Sequence, residues 1–145
     1  MKAEFKRATI NDIVGMVSLC NLCFDEATEL DFAGKMFMQM SKDPNQIHLN
    51  GWHDGKIIAH TKITVIPTMY TPMETYAILN HFCVHPDFRR HHVAIHMLKE
   101  TEKICREMGC KRINLWSRNH RIAAHALYKH YGFDLMESGF FTKDL

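Results

Sequence analysis

The segment Val84-His85-Pro86-Asp87-Phe88-Arg89-Arg90-His91-His92-Val93-Ala94 joins an apolar, strand-like run to an amphipathic stretch of helical period. A strand-to-helix turn leaves the first N–H groups of the helix without partners and sets the positive end of the helix dipole behind them. That combination suits anions, phosphate above all. Arg89 and Arg90 add cations able to make bidentate contacts to phosphate oxygens. The chemistry expected of this segment is capture of a phosphate-bearing ligand.

Other patterns carry less. Cys20-Asn-Leu-Cys23 has CxxC spacing but lies in a helical pattern with no second pair, which favours helix packing over metal or redox use. His92 and His96 stand at i, i+4 with His91 adjacent, yet the pattern places no carboxylate or third ligand, so no metal is expected. Asp25, Glu26, Glu29 and Asp31 precede a helical stretch, where acids favour a helix N-terminus; the same cluster would also attract a cationic amine. His125 and Tyr128 share a helix face at i, i+3, where packing alone can account for them.

The frame that must hold these residues is mixed α/β. Residues 2–9 read as a strand, Thr9 or Asn11 can cap the helix that follows, and Ile13, Val14, Val17, Leu22 and Phe24 form its apolar face. Residues 30–41 form a second helix whose Leu30, Met36, Phe37 and Met40 are expected in the core rather than lining a cleft. Ile47 to His53 and Lys56 to Ile66 are strands joined at Asp54-Gly55, a hairpin turn. Pro67 and Pro72 bracket a loop before the strand Tyr76 to Val84. A helix from about 92 to 108 buries Ala94, Met97, Leu98, Ile104, Cys105 and Met108, and Gly109 stops it. Lys111 to Ser117 is a strand, 121–131 a short helix closed by Gly132, and the tail 133–143 a last strand. The order βααβββαβαβ predicts an antiparallel region and one βαβ crossover in a single domain over 1–145.

Composition narrows the function classes. The chain has 145 residues, 46% apolar and 23% charged, long enough for its own core. Its net charge of +2 offers no electrostatic case for nucleic acid. Eleven histidines make its charge sensitive to pH near 6–7. Five scattered cysteines argue for a reducing, cytoplasmic setting. There is neither a signal-peptide start nor an apolar run long enough for a membrane span. A homodimer is compatible with the sequence.

With these residues in view, the 89–94 segment resembles the acyl-CoA loop of the GNAT superfamily of N-acyltransferases, Arg/Gln-x-x-Gly-x-Gly/Ala. The preceding strand 76–84, the late Ala124-His125-Ala126-Leu127-Tyr128 followed by Gly132-Phe133, and the opening Arg7-Ala8-Thr9 with Asp12 fit the same family in order and spacing. Arg121, Ala124, His125 and Tyr128, the Lys42-Asp43-Pro44-Asn45 loop and the Phe141-Thr142-Lys143 ending are similar to small-molecule amine acetyltransferases such as aminoalkylphosphonate N-acetyltransferase. Two departures stand out: His92 occupies the first loop Gly, and Arg121 the late Asn, with Asn119 two positions off. If the His92 position is left-handed, a side chain there costs ~1–2 kcal/mol; alternatively the imidazole touches phosphate.

The resemblance implies a GNAT-like fold, a mixed, mostly antiparallel sheet flanked by about four helices. It implies an acetyl-CoA-dependent N-acetyltransferase acting on a primary amine of a small molecule or peptide, by direct attack. Acetyl-CoA would be held by Phe82, Cys83, Val84, Arg89, Arg90, His91, His92, Val93, Ala94, Asn119, Arg121 and Tyr128. Backbone N–H groups near Phe82 to Val84 would serve the oxyanion, and Tyr128 would protonate the departing thiolate. Cys83 itself reads as a buried strand residue. The strand lacks the Glu that many relatives carry, so His81 is the foremost base, with Glu74, His125, His60 or a water chain as alternatives. A non-catalytic acyl-CoA-binding or sensing module is the competing reading, prompted by His92 and the missing Glu.

Overall fold

A computed structural model describes residues 1–145. Its strands are β1 (Glu4–Arg7), β2 (Gln46–His53), β3 (Lys56–Ile66), β4 (Tyr76–Val84) and β5 (Arg112–Leu115). Its helices are α1 (Ile13–Phe24), α2 (Leu30–Met40), α3 (Val93–Glu107) and α4 (Ile122–Tyr131). The sheet runs β1-β2-β3-β4-β5 in space. Pairing is antiparallel from β1 to β4 and parallel between β4 and β5, which α3 connects.

Local chemistry sets the boundaries. Asp54 and Gly55, at φ 48° and 74°, make the tight turn between β2 and β3, as the Asp-Gly pair predicts. The Asp12 carboxylate accepts the Thr9 N–H at 2.8 Å and starts the first helical turn. One face of the sheet carries the main core, where Met97, Leu98, Ile104 and Cys105 of α3 and Tyr128 of α4 meet Ile63, Val65, Ala77 and Leu79. A smaller cluster, Ile13, Met16 and Phe37 with Ile57 against them, seats α1 and α2. Phe37 is the only buried residue of α2, so the core role expected of Leu30, Met36 and Met40 is not met.

The pairing of β3 with β4 is interrupted once. Lys62 faces Asn80 and His60 faces Cys83, so His81 and Phe82 together oppose the single Thr61. This is a β-bulge. His81 has φ 49°, in the left-handed region, and the buried Thr61 hydroxyl donates to the Asn80 carbonyl at 3.2 Å. The bulge changes parity. Ala77 and Leu79 before it and Phe82 and Val84 after it join the same core cluster. Unbroken alternation would send the second pair to the opposite face.

The strand expected over 133–143 does not form. Phe133 N–H bonds to the Tyr128 carbonyl at 2.9 Å, and no regular element follows. Leu135, Met136, Phe140 and Phe141 are all at least 70% exposed. Alternating apolar residues make a strand only where an edge pairs with them, and here β5 keeps that edge unpaired.

Candidate functional site

The site begins where β4 and β5 part. Their pairing covers Tyr76↔Arg112 to Leu79↔Leu115 and stops. From Asn80 to Val84, β4 has no strand neighbour on that side, because the chain leaves β5 at Trp116 for the turn into α4. The Val84 carbonyl opens into this gap: it accepts Arg89 Nε at 3.1 Å and lies 3.6 Å from Cys23 Sγ. A strand residue's N–H and C=O point to the same edge, so the Val84 N–H faces the gap too, and alternation brings the Phe82 N–H alongside it. The side chains of Phe82, Cys83 and Val84 are buried, leaving their backbone as the part offered.

The loop after β4 is built around two left-handed residues, Arg90 at φ 63° and His92 at φ 61°. His92 is the residue from which α3 starts, and the His96 N–H bonds to its carbonyl at 3.1 Å. Arg90, His91 and His92 are exposed. Val93 is 3% exposed and locks the first turn of α3 into the core, with Ala94 packed beside it. Arg89 turns back to close the loop on Val84. Three residues from the β5–α4 turn and α4 were also expected at the cofactor. Asn119 lies in the exposed β5–α4 turn, and Arg121 begins α4 with its guanidinium 5.1 Å from the Phe24 ring centroid. That cation–π contact ties the start of α4 to the end of α1. Tyr128 is 8% exposed and packs edge-on to Phe82 at 5.9 Å and Phe133 at 5.8 Å. Burial raises its phenol pKa above the ordinary value, which keeps it a neutral donor.

His81 stands free of both packed faces. Its Nε2 lies 2.9 Å from Glu26 Oε1, and its ring meets Phe24 edge-on at 5.0 Å. Glu26 follows Asp25, which ends α1 in a left-handed conformation at φ 52°. The acidic cluster thus supplies a partner for the imidazole, which sequence reasoning did not foresee. The alternative bases sit in unsuitable places. His60 is 4% exposed, its Nδ1 2.8 Å from Asn50 Oδ1, and burial brings its pKa down to about 3. His125 Nε2 is engaged with the carbonyls of Ser117 and Arg118 at 3.1 and 3.0 Å. Glu74 precedes β4 at the end remote from the bulge. No group of three or more His, Cys, Asp or Glu side chains is arranged to hold a metal ion.

The helix pair Cys20 and Cys23 does more than pack within α1: both are half-buried, and Cys23 Sγ reaches the Val84 carbonyl of β4 at 3.6 Å. Hydrogen bonding to Cys83 lowers the Cys23 pKa to about 7, with burial opposing and Arg89 and Arg121 assisting. The spacing of Cys20 and Cys23 gave no sign of a partner sixty residues away.

A five-stranded, mostly antiparallel sheet with four helices matches the GNAT fold. The sequence matches the family model described as the acetyltransferase (GNAT) family over residues 13–133, and the chain belongs to that family. A search of the curated proteins returns no match. Among solved structures, a transcriptional regulator from Bacillus halodurans superposes with a TM-score of 0.90 at 19% identity, over 99% of this chain and 100% of that one. Glucosamine-6-phosphate N-acetyltransferase from Arabidopsis thaliana gives 0.82 at 14% identity, over 99% of each. AAC(6′)-Iy, solved with the bisubstrate analogue CoA-S-monomethyl-acetylneamine, gives 0.86 at 12% identity, over 100% and 99%. At these identities the likeness is one of fold. No helix is long and apolar enough to cross a membrane.

Proposed function

We propose that this acetyltransferase moves the acetyl group of acetyl-CoA onto a primary amine of a small molecule or peptide, by direct attack with both substrates bound. The observation that most supports this is the bulge, which sets an imidazole–carboxylate pair, His81 and Glu26, beside the unpaired edge of β4. The pantetheine arm, a chain of amides, is suited to add to that edge as an extra strand would. The start of α3 and the exposed Arg90, His91 and His92 before it receive the pyrophosphate.

An amine with a pKa near ~10 is mostly protonated at neutral pH and must lose a proton before it can attack a thioester. His81 takes that proton, and Glu26 fixes the ring and offsets the charge it gains. The Phe82 and Val84 N–H groups receive the oxyanion of the tetrahedral intermediate. As the carbon–sulfur bond breaks, charge builds on sulfur and the Tyr128 phenol protonates it. Release of CoA thiol, measured over a panel of amines, tests the reading. Release with at least one amine, abolished in His81→Ala while acetyl-CoA still binds, is the expected result. Tight binding with no release from any amine would favour a sensing module instead.

A further inference from the structure

The helices leave part of one sheet face open. α1 crosses that face from Ile57, which packs against the Ile13 and Met16 cluster, to His81, whose ring meets Phe24. Phe37 of α2 rests on His48 of β2. Between these contacts stands Lys62 of β3, opposite His48 on one side and Asn80 of β4 on the other. Ile63 and Leu79 belong to the main core on the other face, so alternation turns Lys62 and Asn80 to this one.

Lys62 differs from every other lysine of the chain: the others are exposed, and it is half-buried. Its ammonium enters none of the ion pairs of the fold. His48 beside it is held neutral by burial, at about 4, and offers no countercharge. Burial lowers the Lys62 pKa from its ordinary value, as expected of a cation without compensation. A lysine stem lies readily along apolar surface, but the cross-strand neighbours here are an imidazole and an amide. Asn80 is exposed, and its backbone carbonyl takes the Thr61 hydroxyl while its side-chain amide stays free.

The face therefore has two charged ends. At the bulge, His81 and Glu26 stand 2.9 Å apart, suited to an amine. On the next strand, opposite the residue before His81, stands the unpaired cation. A point charge beside a neutral amide, with no guanidinium fork, suits the single charge of a carboxylate better than a phosphate. Paired Cα atoms on antiparallel strands are ~4.5–5.5 Å apart, which keeps the two ends within reach of a short carbon chain.

We propose that Lys62, with Asn80, selects an acceptor whose primary amine is joined by a short chain to a carboxylate, as in an ω-amino acid. This acceptor site rests on the acetyl transfer proposed above. Lys62 holds the carboxylate and so presents the amine to His81; it acts on binding and takes no part in bond making.

The test compares β-alanine, γ-aminobutyrate and ε-aminocaproate with alkylamines of matching length and with phosphoethanolamine. Release of CoA thiol gives kcat and KM, and calorimetric titration of the CoA-saturated protein gives binding without turnover. At least one amino acid is expected to show a KM ~10–100-fold below that of its alkylamine. Lys62→Gln should raise that KM by a similar factor with little change in kcat, and Lys62→Arg should restore most of it. Alkylamines or phosphoethanolamine used as well as the amino acids, a wild-type KM in Lys62→Gln, or a fall in kcat in place of the rise in KM would overturn the proposal. If no amine releases CoA, acetyl transfer fails and calorimetry still decides the role of Lys62. Amino-acid binding that Lys62→Gln abolishes would support it, and no binding to the wild type would overturn it.

Discussion

In the proposed reaction Tyr128 and His81 face opposite demands, and their neighbours show how each would be met. Tyr128 is enclosed by Phe82 and Phe133 and stays a neutral donor. The thioester sulfur carries little charge before reaction, so the phenol gains its strength only as the bond breaks. Tyr128→Phe keeps the ring packing and is expected to lower kcat by ~10²–10⁴-fold, with acetyl-CoA affinity by calorimetry nearly unchanged. Equal losses of both would recast it as a positioning residue. Glu26→Gln keeps a partner for His81 but removes the countercharge; steady-state assays should show a lower kcat and an unchanged Kd for acetyl-CoA. His81 could be picked out from the strand because it alone near 78–81 can accept a proton. Its partner Glu26 could not, because no local pattern links residues 55 apart. Cys23 was hidden for the same reason: its helix spacing is visible, whereas the strand that faces it is a matter of tertiary structure.

Among the elements, the strands and helices that carry their own punctuation were readable. Asp54-Gly55 and Gly132 mark real ends, and the period of α3 matches its buried Met97, Leu98, Thr101, Ile104 and Cys105. The bulge left no comparable mark, and the tail was misread because alternation alone names a strand without naming its partner. Two substitutions probe the elements. His92→Gly should release part of the ~1–2 kcal/mol cost of a left-handed side chain, since His92 holds φ 61° at the start of α3. The melting temperature should rise by a few degrees with acetyl-CoA still bound; lost binding would show that the imidazole is a contact. Gly51 has the opposite constraint. A Cβ there would lie 2.9 Å from both Ala59 Cβ and Phe5 Cε1, between β1 and β3. Gly51→Ala should therefore cost ~1–3 kcal/mol, read from the urea midpoint.

For the whole molecule, the histidine content becomes a pH limit on stability. Burial holds His60 at about 3 and His48 at about 4, from an ordinary 6.5. Both are neutral in the fold, stacked at 5.9 Å, with Phe37 against His48. The unfolded chain binds their protons first, so their stabilisation is whole above about pH 6.5 and declines as pH falls toward 4 and 3. A fully buried neutral histidine imposes a slope of ~1.4 kcal/mol per pH unit across that window, and the partly exposed His48 less. Urea midpoints should fall between about pH 7 and 5. His60→Gln, whatever its starting stability, should show a shallower fall; an equal slope would place the effect elsewhere.

The extra residue in β4 has one more consequence. His81 belongs to neither side of the alternation: the core claims Phe82 and Val84, Cys83 is buried on the opposite face, and His81 stands between. Deleting it would turn all three following side chains over and dismantle both faces. Exchanging it would disturb neither, apart from the preference of a left-handed backbone for Asn, Asp or Gly. The position works as a socket, its presence demanded by the sheet and its occupant left to the chemistry. His81→Asn, which suits the left-handed backbone and sets no second carboxylate against Glu26, should then melt within a degree or two of the wild type while its pH–rate profile changes, so that the reactive group can be exchanged without rebuilding the protein around it.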